Sequence, residues 1–197
     1  MNRWIFLRHG ESEANRARVF SGHQDVSLTE HGRTQAKAAG LLLKQMLGNE
    51  RQLTAWSSDL RRAKETAEIA LASGHFDCTL QCDPALRERH LGEWQGCSID
   101  VIKQSGKRER LLTWHGSAPG GESLAQIALR SIALLASIEA NGPVLVVAHG
   151  GLIRTLLGLL DNSPKTEIGL VVIPNAEPIE RSIANGRWTE ILGDLKG

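Results

Sequence analysis

WIFLRHG, residues 4–10 of the 197-residue chain, is the stretch that most clearly indicates the fold. Its first four residues form a continuous apolar run, which is typical of a strand buried on both faces of a sheet. The run leads directly into an arginine, a histidine and a glycine. The other clear apolar run, residues 144–148, leads in the same way into His149, Gly150 and Gly151. The chain therefore has two predicted buried strands that each end in a histidine followed by glycine.

Helical patterns separate the predicted strands. Apolar residues recur at steps of three and four after residues 29, 59 and 123, which predicts three helices with one buried face each, and a fourth helix is expected at 152–160. We expect Ser27 or Thr29 to cap the first helix, with Ser27 and Glu30 forming a capping box. Residues 57–59 and Ser123 are expected to cap the second and third. The apolar positions are Ala36, Ala39, Leu43 and Leu47; Leu60, Ala63, Ala67 and Ala70; and Leu124, Ile127, Leu134 and Ile138.

Shorter strand patterns complete the predicted sheet. Strands are expected at 53–56 and 78–82, whereas residues 15–28 lack periodicity and are expected to form a loop. The C-terminal part is expected to be antiparallel, with a turn typical of hairpins at Asn185-Gly186. The predicted C-terminal strands are 168–173, 179–184 and 188–192.

Strands that alternate with helices form a mostly parallel sheet with helices on both of its faces. We therefore expect an α/β fold, a three-layer sandwich with an antiparallel C-terminal edge, in a single domain over residues 1–197. Residues 98–121 are the least regular part of the chain and are expected to form a lid-like insertion over one end of the sheet. The antiparallel edge is available for pairing with a second copy, so a homodimer stays an open alternative.

The composition excludes several classes of function. The net charge is +1, so the chain as a whole is not attracted to nucleic acid or to an anionic membrane. Its three cysteines, Cys78, Cys82 and Cys97, do not form a disulfide framework, and their odd number is typical of a reducing compartment. The apolar run at 4–7 is too short for a signal peptide or a membrane-spanning helix. We therefore expect a cytoplasmic protein whose partner is neither nucleic acid nor a membrane.

The ends of the two buried strands carry residues suited to phosphoryl transfer. Ligands of open α/β sheets bind beyond the carboxyl ends of the strands, where His9 and His149 would meet. Phosphoryl transfer requires a nucleophile, cations around the phosphoryl oxygens and a proton for the leaving group. A neutral His9 can be the nucleophile, Arg8 and Arg62 can bind the oxygens, and His149 can add a donor. Glu88 can be the general acid, provided that its pKa is raised.

Each of these residues also has an ordinary structural explanation. A single histidine at a strand end is more often a hydrogen-bonded core or surface residue. Arg61 and Arg62 on a helix would normally be solvated and paired with Glu65. Glu88, which lies between two arginines, would normally form a surface ion pair. Only the joint pattern favours a functional site.

That joint pattern resembles the histidine phosphatase (phosphoglycerate mutase-like) superfamily. Five ordered blocks carry the resemblance and span residues 4–155, most of the chain. The blocks are LRHGES at 7–12 with Asn15; FSG at 20–22 with Asp25, Leu28-Thr29, Gly32 and Gln35-Ala36; SSDLRRA at 57–63 with Thr66-Ala67; Leu86, Glu88, Gly92 and WQG at 94–96; and GES at 121–123 with VAHGG at 147–151.

The resemblance implies a role for each matched residue. His9 would become phosphorylated, and Glu88 would protonate the leaving oxygen. The phosphate would be held by Arg8, Asn15, Ser21, Gly22, Arg62, His149 and Gly150. The substrate would be a small phosphorylated molecule, and neither a cofactor nor a metal would be needed. His75, Cys78 and Cys82 only loosely resemble zinc ligands, because the paired CxxC spacing of structural zinc sites is missing.

Hydrolysis is favoured over the mutase reaction by what surrounds the predicted phosphate site. Phosphoglycerate mutases that depend on a cofactor carry ERHYG, whose tyrosine helps to hold the substrate carboxylate, and a proline-rich insert with paired arginines. This chain reads ERHLG at 88–92, with Leu91 at the tyrosine position, and it contains no tyrosine and no such insert. Arg89 and His90 keep the mutase alternative open. A non-catalytic protein that binds a phosphorylated ligand is less consistent with the sequence, because the positions of the nucleophile and the acid are both filled.

Basic residues in the predicted lid offer a further contact for an anionic substrate. Lys103, Lys107, Arg108 and Arg110 lie close together there. A solvated loop is the simpler interpretation, because Glu109 interrupts the run.

Overall fold

The two apolar runs that end in histidine are neighbouring central strands of a five-stranded sheet. The computed structural model describes residues 1–48, 50 and 52–197. Its strands are β1 (Asn2–Arg8), β2 (Thr54–Ser57), β3 (Leu80–Cys82), β4 (Val144–Ala148) and β5 (Pro178–Ile183). The strand order is β3-β2-β4-β1-β5, and only β5 runs antiparallel to its neighbour. The predicted mostly parallel sheet with an antiparallel C-terminal edge is confirmed.

Helices cover both faces of this sheet. Alternate residues of a strand point to opposite faces, so β1 contributes Trp4 and Phe6 to one core and Ile5 and Leu7 to the other. The helices are α1 (Glu13–Arg16), α2 (Glu30–Leu47), α3 (Arg61–Ser73), α4 (Ile99–Gln104), α5 (Leu124–Ser137), α6 (Gly150–Leu160) and α7 (Arg187–Lys196). The first core also contains residues of α5, α6 and α7, and the second contains residues of α2 and α3. Pro84–Leu86, Gly92–Trp94 and Ile168–Leu170 each form a single 3-10 turn, and Lys107–Leu112 forms a 3-10 helix of six residues.

The helix caps agree with the sequence only in part. Ser123 caps α5 as predicted, and its hydroxyl accepts the N–H of Gln126. Thr29 caps α2 and accepts the N–H of Gly32 at 2.9 Å. The predicted capping box of Ser27 and Glu30 is wrong, because Glu30 is already the first residue of the helix. The predicted cap of α3 at 57–59 is also wrong, since the N-cap residue is Leu60, and the first N–H of the helix, that of Arg61, is accepted by the carboxylate of Asp25 at 2.7 Å.

The C-terminal part differs most from the prediction. The strand expected at 179–184 is observed as β5, but residues 168–173 form a 3-10 turn and irregular chain instead of a strand. The strand expected at 188–192 and the hairpin before it are replaced by α7. Trp188 and Ile191, three residues apart, are buried on the same side of α7 and belong to the core that α5 contributes to. A helix allows this apolar stripe to be buried in the core. The stabilisation from this burial outweighs the preference of Asn185-Gly186 for a hairpin turn.

Two smaller corrections concern element ends. The predicted strand at 78–82 is reduced to β3, because Cys78 lies outside the pairing with β2. The loop predicted at 15–28 begins inside α1, where Ser12 and Asn15 form a reciprocal capping box. None of the helices in the described part of the chain is both long and apolar enough to span a membrane.

Candidate active site

The carboxyl ends of β1 and β4 bring His9 and His149 into contact. The backbone N–H of His9 donates to the carbonyl of Ala148 at 3.0 Å, which continues the pairing of the two strands. The two imidazole rings lie 5.2 Å apart, centroid to centroid, and only 4% of His9 and none of His149 is exposed. The sheet therefore places both predicted histidines in one buried site.

A cavity of about 210 Å³ opens beside His9. Seven of the predicted site residues line it: Arg8, His9, Asn15, Ser21, Gly22, Arg62 and Glu88. The other two, His149 and Gly150, do not. His149 is completely buried next to His9, and Gly150 packs against the side chain of Arg8. From the first turn of α6 it is Gly151, and not Gly150, that reaches the cavity.

Hydrogen bonding fixes which nitrogen of His9 is free. Nδ1 lies 2.7 Å from the carbonyl oxygen of Gly10. Because a carbonyl oxygen can only accept, Nδ1 carries the proton and Nε2 keeps its lone pair. Burial, followed by the positive charges of Arg62 and Arg8, holds the pKa of His9 well below its usual value of 6.5. The ring is therefore neutral near pH 7, as a nucleophile requires.

The guanidinium groups of buried Arg62 and half-buried Arg8 lie close to His9. Arg62 is 1% exposed and donates to the carbonyls of Gly22 at 2.8 Å and Gln24 at 2.9 Å. Arg8 donates to the carbonyl of Ile173 at 2.6 Å. The Nε–H groups of both arginines are buried and have no partner among the described residues. Burial lowers the pKa of Arg62 to about 10, which still leaves it positively charged near pH 7. Unpaired cationic donors of this kind suit an anionic ligand.

Backbone N–H groups hold the carboxylate of Glu88. Oε1 accepts the N–H of Arg89 at 2.8 Å, and Oε2 accepts the N–H of Gly151 at 2.9 Å. Any side chain at Gly151 would overlap this carboxylate, so the close approach requires glycine. Burial raises the pKa of Glu88, but these two hydrogen bonds and the charges of Arg154 and Arg89 together outweigh burial, and the net shift is downward. The raised pKa that the role of general acid requires of Glu88 is therefore not found.

Three further arginines and an apolar wall complete the cavity. Arg89 was noted in the sequence and Arg108 belongs to its basic run, but Arg154 was missed. Arg154 lies one helical turn after Gly150, so the periodicity of the predicted helix at 152–160 could have indicated it. Arg154 donates to the carbonyls of Gly150 at 3.1 Å and Gly169 at 3.0 Å. The apolar residues that line the cavity are Val19, Phe20, Leu91, Ile99 and Leu111.

A larger groove, of about 360 Å³, lies at the opposite end of the sheet beside Asn2, Trp4 and Trp188. Glu139 is its only charged lining residue among those described, so the groove offers no positive charge to a phosphate. His75, Cys78 and Cys82 do not form a metal site either. Across residues 1–48, 50 and 52–197, no group of three or more His, Cys, Asp or Glu side chains is placed to hold a metal ion.

Comparison with known proteins identifies related chains over nearly the whole length. Residues 4–192 match the histidine phosphatase superfamily (branch 1). The chain is 35% identical over 208 residues to a glucosyl-3-phosphoglycerate phosphatase of Mycobacterium tuberculosis, covering 97% of this chain and 85% of that protein. It is also 35% identical over 199 residues to a 2,3-bisphosphoglycerate-dependent phosphoglycerate mutase 2 of Gloeobacter violaceus, covering 95% of this chain and 89% of that one.

A solved structure of a mycobacterial glucosyl-3-phosphoglycerate phosphatase with VO3 resembles this chain with a TM-score of 0.80. The two chains are 34% identical, and the match covers 92% of this chain and 93% of the other. The α/β fold is therefore shared with a phosphatase, while the sequence is equally similar to a phosphatase and to a mutase.

Proposed function

Since the chain belongs to branch 1 of the histidine phosphatase superfamily, we propose that it is a phosphatase that hydrolyses a small phosphorylated metabolite. The reaction proceeds through a phosphohistidine on His9, with Glu88 as the general acid, and it needs no metal. The free lone pair on Nε2 of His9 supports this proposal, together with the buried Nε–H groups of Arg8 and Arg62, which have no partner among the described residues.

In the first step, Nε2 of His9 attacks phosphorus while the bond from phosphorus to the leaving oxygen breaks. The leaving oxygen takes the proton of Glu88 as it departs. Arg8, Arg62 and His149 donate to the phosphoryl oxygens, where negative charge is concentrated in the transition state. In the second step, a water molecule attacks the phosphohistidine and the carboxylate of Glu88 accepts its proton. This step forms inorganic phosphate and restores neutral His9.

The lowered pKa of Glu88 requires that its proton arrive with the substrate. Both carboxylate oxygens already accept backbone N–H groups, so a protonated Glu88 needs a new acceptor for its hydroxyl. A phosphoryl group supplies that acceptor. Its negative charge also opposes the charges of Arg154 and Arg89, which raises the pKa of Glu88. A substrate that enters with one proton on its phosphate can therefore deliver it to Glu88.

Leu91 is the feature that favours hydrolysis over phosphoglycerate interconversion. It lines the cavity, is 6% exposed, and packs in an apolar cluster with Trp94, Leu111 and Ala118. No hydroxyl group is available there for a substrate carboxylate, and the chain has no tyrosine elsewhere to replace it. The apolar wall suits the organic part of a substrate instead.

The charge of the cavity favours a substrate that carries a second anionic group. Five arginines line the cavity, against the single carboxylate of Glu88. One phosphate group next to Arg8 and Arg62 leaves Arg89, Arg108 and Arg154 for a carboxylate or another phosphate. The same surplus of charge keeps the mutase reaction as the second candidate. The names of the relatives, which refer to phosphoglycerates in both cases, are consistent with either.

Phosphate release from a panel of compounds tests the proposed function. The panel holds an aryl phosphate, a sugar phosphate, a nucleotide, 3-phosphoglycerate and glucosyl-3-phosphoglycerate, each with and without EDTA. We expect release that EDTA leaves unchanged, with the highest kcat/KM for a compound that carries a second anionic group. Interconversion of 2- and 3-phosphoglycerate without release would show a mutase. Binding of these compounds with no reaction would show a non-catalytic protein.

Arg108 is expected to recognise the second anionic group. It lines the cavity and is half-buried. Replacing Arg108 with Gln is expected to raise the KM for 3-phosphoglycerate about tenfold, equivalent to about 1.4 kcal/mol, by removing one charged contact. The KM for an aryl phosphate should change less than about twofold. The exposed neighbour Lys107, replaced with Gln, is the matched control. An equal rise in KM for both compounds would contradict this role.

A further inference from the structure

Ser58 contacts the buried histidine of the site. Ser58 directly follows β2, and its backbone N–H donates to the carbonyl of Val147 in β4 at 3.0 Å. The Ser58 hydroxyl lies 2.9 Å from Nε2 of His149, and neither residue has any exposed surface. This hydroxyl does not cap α3, although its position before that helix suggested a cap. The contact with His149 is therefore the feature that can explain its role.

Hydrogen-bond accounting fixes the direction of this contact. The Ser58 oxygen already accepts the N–H of Leu60 at 3.3 Å. Nε2 of His149 is its only other polar contact in the described chain. The hydroxyl proton therefore forms a hydrogen bond only when Ser58 donates it to Nε2, because the buried hydroxyl is shielded from solvent. An imidazole nitrogen that accepts carries no proton, so the proton of neutral His149 lies on Nδ1.

Nδ1 of His149 is buried and has no partner among the described residues. A buried N–H without an acceptor destabilises the fold, so the arrangement is explained best by a ligand that supplies an acceptor. Phosphoryl oxygens only accept hydrogen bonds, and the Nε–H groups of Arg8 and Arg62 in the same site lack protein partners as well. The opposite tautomer would leave the hydroxyl proton of Ser58 unpaired and would turn a bare lone pair toward the anion.

We infer that Ser58 is a positioning residue that sets the tautomer of His149, so that Nδ1–H is presented to the phosphoryl group. This inference rests on the proposed function, because it assumes a phosphoryl group next to His9. The two histidines then share one tautomer but differ in role. Gly10 leaves the lone pair of His9 free for attack, and Ser58 leaves the N–H of His149 free for donation.

Nitrogen NMR of protein labelled with ¹⁵N-histidine tests this assignment directly. In the wild type we expect the shift of a protonated nitrogen at Nδ1 of His149 and that of a bare nitrogen at Nε2, with the signals assigned by comparison with His149→Gln. Ser58→Ala is expected to mix or reverse the two forms, to weaken the binding of inorganic phosphate about tenfold, and to lower kcat about 10- to 100-fold, as loss of such supporting partners does. Ser58→Cys, whose S–H is a weak donor, should lie between the two.

Ser57→Ala is the matched control. Ser57 is the neighbouring serine, equally buried, and its hydroxyl donates to the backbone carbonyl of Ser58 and not to His149. We expect this variant to keep the wild-type tautomer and phosphate binding. A wild type with the proton of His149 on Nε2, or a folded Ser58→Ala protein with unchanged tautomer and phosphate binding, would overturn the inference. Both readouts are independent of turnover, so absence of hydrolysis would contradict the proposed function without being mistaken for failure of this inference.

Discussion

Replacing His9 with Gln is expected to abolish turnover, with kcat lowered by about four to six orders of magnitude. Glutamine can occupy the space of the imidazole, but its amide nitrogen has no free lone pair with which to attack phosphorus. The remaining arginines can still bind the substrate, so the binding of inorganic phosphate should change far less than kcat. The decisive measurement is rapid quench with ³²P-labelled substrate. The wild type should carry an acid-labile label, and the variant should carry none.

His31→Gln is the matched control for this experiment. His31 is exposed on α2 and does not line the cavity, so its replacement should leave both turnover and labelling unchanged. A His9→Gln protein that retains a tenth of the wild-type kcat, or that still acquires an acid-labile label, would exclude His9 as the nucleophile.

Replacing Glu88 with Gln is expected to lower kcat by about 10²- to 10⁴-fold on alkyl phosphates. An alkoxide is a poor leaving group unless it is protonated, and the carboxamide has no proton to give. An aryl phosphate should lose much less, because a phenolate leaves without a full proton. Glu93→Gln is the matched control, since Glu93 lies in the same segment with an exposed side chain. Equal losses on alkyl and aryl phosphates would rule out the acid role.

The Glu88→Gln variant should also differ from the wild type in the pH profile of kcat/KM. Glu88 and the substrate phosphate must carry one proton between them. The pKa of Glu88 is below its usual 4.5, so that proton is held by the free substrate, whose second pKa is about 6. The wild-type kcat/KM for alkyl phosphates should therefore fall as the pH rises above about 6. In Glu88→Gln this decline should be largely lost, because no proton transfer to residue 88 remains. A wild-type profile that rises from pH 6 to pH 8 would contradict this proton route.

Local patterns in the sequence were sufficient to predict the centre of the fold. Residues 4–7 and 144–148 are apolar without interruption, and strands of this kind belong in the middle of a parallel sheet whatever surrounds them. The residues that directly follow these strands are fixed in place by the strands themselves. His9 and His149 could therefore be located in the site before any tertiary contact was known.

Features that depend on distant contacts could not be predicted in this way. Trp188 and Ile191 belong to a helix because α5 offers them a core to pack in, whereas their local sequence is typical of a hairpin. The pKa of Glu88 depends on the N–H of Gly151 and on Arg154, which are far along the chain. Nothing in the sequence around residue 88 indicates these neighbours, so the sequence could not show whether the condition of a raised pKa is met.

The surplus of positive charge in the cavity has a consequence for the end of the reaction cycle. In the proposed hydrolysis, inorganic phosphate would remain in the cavity after the second step, with phosphoryl oxygens like those of the substrate next to the five arginines of the lining. Charges that draw a substrate in also slow the departure of a product of the same charge. If the chain hydrolyses phosphate esters as proposed, we expect product release to be the slow stage of the cycle. Free phosphate in the cell would then be a product inhibitor that binds in the same cavity, without any separate regulatory site.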